Sequence, residues 1–397
     1  MGAATFAARG FTLKSFLRQV VTGRREYIAA HNGLRGVAAL LVVFYHLQFG
    51  ADYRLNIETT TFFFQRSYLM VDLFFILSGF IISFTAMPDG RRMTRPESLE
   101  FLRLRLARIY PLHLFCLLYL AAFFAFVAIY RYSLGHSVDI SRWGTPGLLS
   151  FLREIFLIHA WGGVHAPIWN IPSWSISAEF LAYLCFPALV AIFLCRWLDI
   201  VTGAMAVSFF VYIGLTTGDL DIVSVLSGLR CLSGFVLGML IFKYRRSSDS
   251  ISSRMVSLVQ IAAVVCITMV LATDCNDVFA IPCFVVLVWS TWNDKGIVAR
   301  PLASRPLQFL GKISYSVYLN HYALIQILFF FWSRSVEKYS LLEPLWMRVS
   351  WIGLVISVVL IVSTCTFRWI ERPSRRVMLQ ITKRLAPDDI GARPRKF

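Results

Sequence analysis

The amino-acid sequence predicts an all-α fold: a polytopic integral membrane helical bundle of about ten transmembrane helices, with no appended soluble domain. Composition is the first reason, because 57% of the 397 residues are hydrophobic and only 15% are charged, with a mean hydropathy of +0.65. An average globular chain carries ~25% charged residues. The second reason is that runs of about 20 apolar residues recur along the chain, and a helix of this length crosses a bilayer.

The apolar runs and the basic residues between them predict how the chain crosses the membrane. With the N-terminus in the cytosol, the cytosolic segments hold 30 of the 39 Lys and Arg residues and the external segments hold 8. This imbalance follows the positive-inside rule, so we expect both termini in the cytosol. The net charge of +17 then reflects topology, and no nucleic-acid partner is expected. The ten spans are residues 33–50, 68–86, 109–130, 176–195, 200–216, 222–243, 255–273, 277–293, 309–332 and 346–369.

Segments outside the spans divide the chain into three parts. Residues 1–30 form a basic cytosolic segment without the layout of a signal peptide, and residues 31–370 form the transmembrane domain. Residues 371–397 form a basic cytosolic tail, which we expect to be disordered or bound to the lipid surface. Between spans three and four, Leu148 to Trp161 can form an amphipathic interfacial helix. The eight cysteines lie mostly in apolar runs without metal-type spacing, so we expect neither a disulfide framework nor a metal site.

The first span carries a polar stripe. Arg35 and His46 are eleven residues apart. On a helix this spacing gives a rise of about 16 Å and a return to within about 20° of the same face. Polar groups inside a span are costly in lipid and usually face a cavity or a partner. The alternative interpretation is that Arg35 is a positive-inside anchor and His46 a packing histidine.

Two carboxylates lie near the outer ends of other spans, at a depth comparable with that of His46. Asp72 begins the second span, and Glu179 begins the fourth. An acid beside a histidine fixes its tautomer and raises its basicity, which is what general-base catalysis on a hydroxyl requires. The alternative is that both acids simply complement helix N-termini.

Cations dominate the polar groups nearer the cytosol. Arg105 and Arg108 are three residues apart just before the third span, so they share one helical face. Arginine suits bidentate phosphate recognition, although a basic stop signal at the boundary, as for Arg103, is the ordinary explanation. Arg230 lies inside the sixth span and must face a cavity, a carboxylate or an anionic ligand.

The ninth span adds further polar groups near its middle. His321 is preceded by Asn320, and Tyr315 lies between one and two turns earlier. His321 is either structural or, together with His46, part of a polar core. Trp174, at the start of the fourth span, is either an interfacial anchor, like Trp161 and Trp169, or a substrate contact.

Taken together, these motifs resemble the bacterial acyltransferase-3 family of membrane O-acyltransferases over about residues 28–375. The Arg35-to-His46 spacing and the Arg105-x-x-Arg108 pair match the family's motifs. Two positions depart from the usual pattern: Glu179 is followed by Phe180 rather than a second acid, and Asn320 stands where tryptophan is familiar. The other matching segments are Asp72 to Phe80, Pro172 to Glu179, Ile313 to His321, and Glu371-Arg372-Pro373.

The resemblance implies acyl transfer in a bacterial inner (cytoplasmic) membrane. It implies acetyl-CoA, or another acyl-CoA, as a cytosolic donor substrate, with no tightly bound cofactor. The expected acceptor is a hydroxyl of a sugar or glycan, such as a polysaccharide repeat unit, lipopolysaccharide, lipo-oligosaccharide or peptidoglycan, or of a small metabolite. Acyl chain length and oligomeric state stay open.

The resulting hypothesis gives each group a role. Arg105, Arg108 and Arg35 hold the anionic part of acyl-CoA, and His46, oriented by Asp72 or Glu179, deprotonates the acceptor hydroxyl. Arg230, or a donor from Asn320 or His321, stabilises the oxyanion. A covalent acyl-histidine intermediate is a variant of this scheme. The main rivals are a transporter or exporter, for which the sequence offers no inverted repeat, and a membrane scaffold.

Overall fold

The computed structural model of the chain describes residues 27–47, 61–87, 90–135, 147–162, 169–221, 226–339 and 345–385. Within these ranges there are α-helices, short 3₁₀ helices and one π-helical turn at Phe367–Glu371, and no strand. The α-helices are α1 (Ala29–Leu47), α2 (Met70–Ala86), α3 (Arg95–Ser133), α4 (Leu148–Ile155), α5 (Ser173–Ile192), α6 (Arg196–Thr216), α7 (Ser227–Tyr244), α8 (Ser253–Ala272), α9 (Ala280–Thr291), α10 (Ala299–Leu302), α11 (Arg305–Tyr339), α12 (Leu345–Thr366) and α13 (Arg372–Leu385).

The predicted all-α membrane fold is confirmed, and each of the ten predicted spans coincides with one helical segment. One apolar helix of the described chain, Asp277–Thr291, is shorter than the length that a membrane span requires. The predicted spans on α1, α7 and α11 are less apolar because these helices carry the buried polar side chains of the site. Within the described ranges, six helices are long and apolar enough to cross a membrane: Ser67–Ala86, Arg95–Ser133, Ser173–Ile192, Arg196–Thr216, Ser253–Ala272 and Trp346–Val377.

Large apolar side chains cover the outside of the bundle. On α6, Ile200 and Leu215 are 76% and 80% exposed, and Leu258 on α8 and Ile361 on α12 are also exposed. In water such a surface would drive aggregation, whereas lipid tails solvate it at no cost. The chain is therefore a multi-pass membrane protein whose polar groups are turned inward.

Glycines allow the central helices to pack with their backbones in contact. A Cβ atom on Gly238 of α7 would lie 2.7 Å from the backbone nitrogen of Phe80 on α2. One on Gly36 of α1 would lie 2.8 Å from the backbone nitrogen of Gly311 on α11. Only glycine permits these approaches, which fix α2 against α7 and α1 against α11. These four helices carry most of the polar side chains of the site.

Capping hydrogen bonds fix where α1 and α3 begin, and hence how deep in the bundle the arginines of these helices lie. The side chain of Asp294, distant in sequence, accepts hydrogen bonds from the backbone nitrogens of Ala29 (3.0 Å) and Ala30 (2.7 Å) at the start of α1. At the start of α3, Thr94 and Glu97 form a capping box, in which each side chain accepts from the other's backbone nitrogen.

Helix α4, between α3 and α5, has its apolar side outward. The predicted helix over Leu148 to Trp161 is observed as the shorter α4. Leu148 and Leu149 are exposed, whereas Glu154 is completely buried. This inverted arrangement suits a helix that lies against lipid, as the amphipathic pattern predicted.

Two further sequence predictions can be compared with the structure. All eight cysteines lie in described ranges and are free thiols. The tail differs from the expectation of disorder, because residues 372–385 form α13, which packs against α3. Residues 1–26 and 386–397, which include most of the predicted N-terminal segment, lie outside the described ranges.

Candidate functional site

A cavity lies among α1, α2, α3, α5 and α11, near the ends of α1 and α3 that carry the arginines. We call it the inner cavity; about 70 Å³ of it is open to water. It contains five of the residues predicted from sequence as substrate-binding or catalytic. These are Arg35, Arg105, Arg108, Glu179 and Tyr315.

The arginines of the inner cavity are poorly paired by the protein. Arg105 donates through Nη2 to Thr85 Oγ1 at 3.3 Å, and its buried Nε has no hydrogen-bond partner in the described chain. Arg35 and Arg108 form no ion pair with any described residue. Glu179 faces the same cavity but accepts a hydrogen bond from Ser78. The cavity therefore has several cationic donors whose hydrogen-bonding capacity is unused, which favours an anionic ligand.

A second cavity, the outer cavity, lies at the opposite ends of α1 and α2 and has about 340 Å³ open to water. His46, Trp174 and Arg230, all predicted as site residues, line it. Tyr45 and Asp221 also line it, and the Tyr45 hydroxyl donates to Asp221 Oδ2 at 2.8 Å. Asp221 precedes α7, outside the spans, and burial raises the pKa of its carboxyl. This cavity combines a histidine, an aromatic surface and hydrogen-bonding groups, which suits a neutral polar substrate.

His46 is paired with another histidine. Its Nδ1 lies 3.0 Å from the carbonyl oxygen of Val42 and 3.1 Å from His321 Nε2, and His321 Nδ1 lies 3.1 Å from the carbonyl oxygen of Val317. Because a carbonyl can only accept, we assign a proton to each Nδ1. The single Nδ1 proton of His46 is then shared between the carbonyl oxygen of Val42 and His321 Nε2, and the lone pair of the His46 ring is on Nε2. This is the tautomer that a general base at Nε2 requires.

The predicted orientation of His46 by Asp72 or Glu179 is wrong. Asp72 is completely buried and accepts two hydrogen bonds from Arg230, from Nε at 2.8 Å and from Nη2 at 2.7 Å. Glu179 lies in the inner cavity, away from His46. A buried carboxylate is stable only beside a cation, and the packing of α2 against α7 brings Arg230 to Asp72. His321, rather than either acid, is hydrogen-bonded to His46.

Arg230 retains one unused donor after pairing with Asp72. Its side chain is 1% exposed, its guanidinium lies 5.4 Å from the ring centre of Trp174, and it lines the outer cavity. Its buried Nη1 has no hydrogen-bond partner among the described residues. An unsatisfied buried donor is costly, so this atom is available to a substrate oxygen.

Asn320 lies away from both cavities, contrary to its prediction as a substrate contact. Its Nδ2 donates to the carbonyl oxygen of Ser316 at 2.8 Å and to Thr366 Oγ1 at 2.9 Å. Its Oδ1 faces Cys116 and Tyr119 of α3. The amide is thus fully used in holding α11 to α3 and α12. A tryptophan at this position would lack these hydrogen bonds.

Two residues separate the inner cavity from the outer one. Val71 and Tyr318 line both cavities. Neither was among the site residues predicted from sequence, although Tyr318 lies three residues before His321. A periodicity signal was present, since Tyr315, Tyr318 and Tyr322 recur at helical spacing on α11.

The helices of this membrane protein thus enclose two polar cavities, one lined by arginines and one lined by a histidine. The chain belongs to the acyltransferase-3 family, because the family model described as an acyltransferase domain matches residues 28–368. The resemblance noted from the motifs is thereby confirmed.

Two named relatives match most of the chain at low identity, and a third matches a shorter part of it at higher identity. The peptidoglycan O-acetyltransferase OatA of Listeria monocytogenes is 22% identical over 395 residues, covering 89% of this chain and 56% of the relative. The O-acetyltransferase OatA of Staphylococcus aureus is also 22% identical, covering 91% and 60%. Protein 2 in the picA locus of Rhizobium radiobacter is 37% identical over 125 residues, covering 30% and 57%. The chain thus spans somewhat more than half the length of these relatives, and no solved structure matches it.

Proposed function

We propose that this protein transfers an acetyl or other short acyl group from cytosolic acyl-CoA to a hydroxyl of a sugar or glycan at the outer side of the membrane. One observation carries the proposal: the cationic inner cavity and the histidine-containing outer cavity share two lining side chains, Val71 and Tyr318. We call these two side chains the wall. A donor in the first and an acceptor in the second would place thioester and hydroxyl on either side of that wall.

The inner cavity supports acyl-CoA as the donor. The nucleotide part of CoA carries several phosphate charges, and the unpaired guanidinium groups of Arg35, Arg105 and Arg108 match them in charge and geometry. Apolar side chains, among them Phe74, Phe75 and Ile82, line the same cavity and suit the acyl end of the donor.

The outer cavity supports a carbohydrate acceptor. Its volume of about 340 Å³ is large enough for a sugar ring, and Trp174 and Tyr322 offer flat apolar faces. Two OatA relatives are named as O-acetyltransferases, one of them of peptidoglycan. We therefore take a cell-envelope glycan as the acceptor class.

The proposed reaction is a direct transfer. His46 Nε2 removes the proton from the acceptor hydroxyl, whose oxygen attacks the thioester carbonyl carbon. The resulting oxyanion accepts a hydrogen bond from Arg230 Nη1, which has no partner among the described residues. The carbon–sulfur bond then breaks, and the CoA sulfur takes the proton from His46. His321 accepts from His46 Nδ1 throughout and keeps the ring oriented.

Topology also belongs to this proposal. The arginine ends of α1 and α3 define the inner cavity, and the charge imbalance between alternate loops assigns this side to the cytosol. We place the protein in the bacterial inner membrane with cytosolic termini, so that donor and acceptor approach from opposite faces.

The direct test uses membranes that contain the protein, radiolabelled acetyl-CoA, and wild type beside His46→Ala and His46→Gln. We expect label in envelope glycans with wild type only, because neither variant has a base at this position. Thermal unfolding in detergent checks that both variants fold. Transfer by a folded His46 variant would remove the residue from the mechanism. No transfer by folded wild type, combined with uptake of a labelled glycan or metabolite into vesicles without acyl-CoA, would support a transporter instead.

A further inference from the structure

The wall between the two cavities contains one aromatic side chain, that of Tyr318. Tyr318 is 5% exposed although it contributes to the lining of both cavities, and Val71, at the start of α2, also lines both. The donor arginines line only the inner cavity, and His46 lines only the outer cavity. The acyl group must therefore pass this wall for the transfer proposed above to occur.

Hydrogen bonding and ring contacts hold Tyr318 in place. Its hydroxyl lies 2.7 Å from Ser175 Oγ, and Ser175 Oγ donates to the carbonyl oxygen of Pro172 at 3.1 Å. Since the single Ser175 proton is used there, the Tyr318 hydroxyl is the donor in the pair. Phe74 packs edge-on against the Tyr318 ring with centroids 5.7 Å apart, and the His321 ring lies 5.9 Å away.

We propose that Tyr318 is the specificity-determining residue of the transfer: its ring admits only a short acyl group from the inner cavity and keeps water of the outer cavity away from the thioester. This proposal rests on the proposed function. Water is a competing acceptor, since its attack on the thioester gives a free carboxylic acid and CoA thiol. A wall beside the catalytic histidine prevents that loss until the acceptor hydroxyl occupies the outer cavity.

The first test measures how fast a reagent added outside the cell reaches the inner cavity, and it does not depend on catalysis. A cysteine is introduced at Ile81, which lines only the inner cavity, and a small membrane-impermeant methanethiosulfonate is added to the outside of intact cells. Labelling at that position is read by mass spectrometry. Ile325→Cys, on the outer cavity, is the positive control. We expect slow labelling of Ile81→Cys alone and a severalfold faster rate when Tyr318→Ala is added.

Matched variants distinguish the loss of the wall from a general loosening of the helix packing. Tyr322→Ala removes the same side chain one turn along α11, but that residue lines only the outer cavity, so it should leave the labelling of Ile81→Cys slow. Tyr318→Phe keeps the ring and loses the bond to Ser175, so its labelling rate should lie near wild type. Equal rates with and without Tyr318→Ala, or equal acceleration by Tyr322→Ala, would overturn the proposal.

The second test uses catalysis and a series of acetyl-, propionyl-, butyryl- and hexanoyl-CoA. For wild type, ester formation should fall steeply with chain length and exceed hydrolysis. For Tyr318→Ala and Val71→Ala, longer chains should be used better, and the ratio of hydrolysis to transfer should rise severalfold. Unchanged chain preference and hydrolysis in folded variants would contradict the proposal. If wild type uses no acyl-CoA, the proposed donor fails, while the labelling test still decides whether the wall exists.

Discussion

At the scale of single residues, the site depends on which polar side chains find one another. The sequence identified His46, His321, Asp72 and Arg230 as costly polar groups in apolar helices, and the structure buries all four. It pairs histidine with histidine and carboxylate with guanidinium. Charge explains the outcome, since a buried carboxylate requires a cation, whereas a neutral imidazole is satisfied by a neutral acceptor. The sequence could not assign the pairs because they depend on which helices are neighbours.

The arginines of the inner cavity give a prediction at this scale. Replacing Arg105 and Arg108 together by Gln should raise KM for acyl-CoA by roughly 10- to 100-fold, since a hydrogen bond to a charged group contributes about 1.5–3 kcal/mol. The acceptor KM should stay unchanged, because that substrate occupies the other cavity. Initial rates over a matrix of donor and acceptor concentrations measure both constants.

The control for this double variant is Arg103→Gln. Arg103 lies two residues before Arg105 on the same helix, but it is exposed and lines neither cavity. It should leave both KM values near wild type. An equal loss of rate at every donor concentration in the double variant would indicate misfolding rather than weaker donor binding.

At the scale of helices, the contact between α2 and α7 positions the ion pair of Asp72 with Arg230. A Cβ atom on Gly79 of α2 would lie 2.8 Å from the backbone carbonyl carbon of Phe235 on α7. Gly79→Ala should therefore lower the free energy of unfolding by about 1–3 kcal/mol, as overpacking in a tight interface does. The unfolding midpoint in detergent measures the change.

A second glycine offers a control for this effect. Gly353 lies in the interior of α12, and a Cβ atom there would meet nothing within 4 Å. Gly353→Ala should stabilise the helix by roughly 0.5–1 kcal/mol or leave it unchanged. Similar destabilisation by both substitutions would show that the packing of α2 on α7 is not the cause.

The segment around α4 gives a prediction about pH. Glu154 accepts hydrogen bonds from the backbone nitrogen of Trp169 and, at 3.4 Å, from Ser173 Oγ. Burial raises the pKa of its carboxyl from 4.5 to about 8. Because the folded chain holds the proton more tightly than the unfolded chain, the stabilisation is complete below pH 4.5 and is lost as the pH rises toward 8.

Unfolding midpoints from about pH 6.5 to about pH 9 measure this loss, which should be about 2 kcal/mol in that interval. Burial lowers the pKa of nearby His159 to about 3, so this histidine stays neutral throughout the interval. Glu154→Gln should flatten the dependence, whereas Asp249→Asn, a change at an exposed carboxylate, should not. A wild-type midpoint that is constant or rises with pH would contradict the prediction.

At the scale of the whole molecule, periodicity and composition predicted most of the fold. All ten apolar runs coincide with helices, because the length and polarity of each run are local properties. The division of the polar residues between two cavities was not predicted, and neither was the wall at Val71 and Tyr318. Both depend on the order in which helices pack, which a single sequence does not encode locally. The topology and the domain boundaries stay predictions.

The thinness of the wall has an electrical consequence. Where two water-filled cavities approach from opposite faces, the membrane voltage falls across the side chains between them rather than across ~30 Å of hydrocarbon. Moving one elementary charge through such a field involves about 2.3 kcal/mol per 100 mV. An uncharged acyl group crosses Tyr318 without electrical work, whereas the phosphates of CoA stay behind. On this arrangement, the transfer neither draws on the membrane potential nor dissipates it.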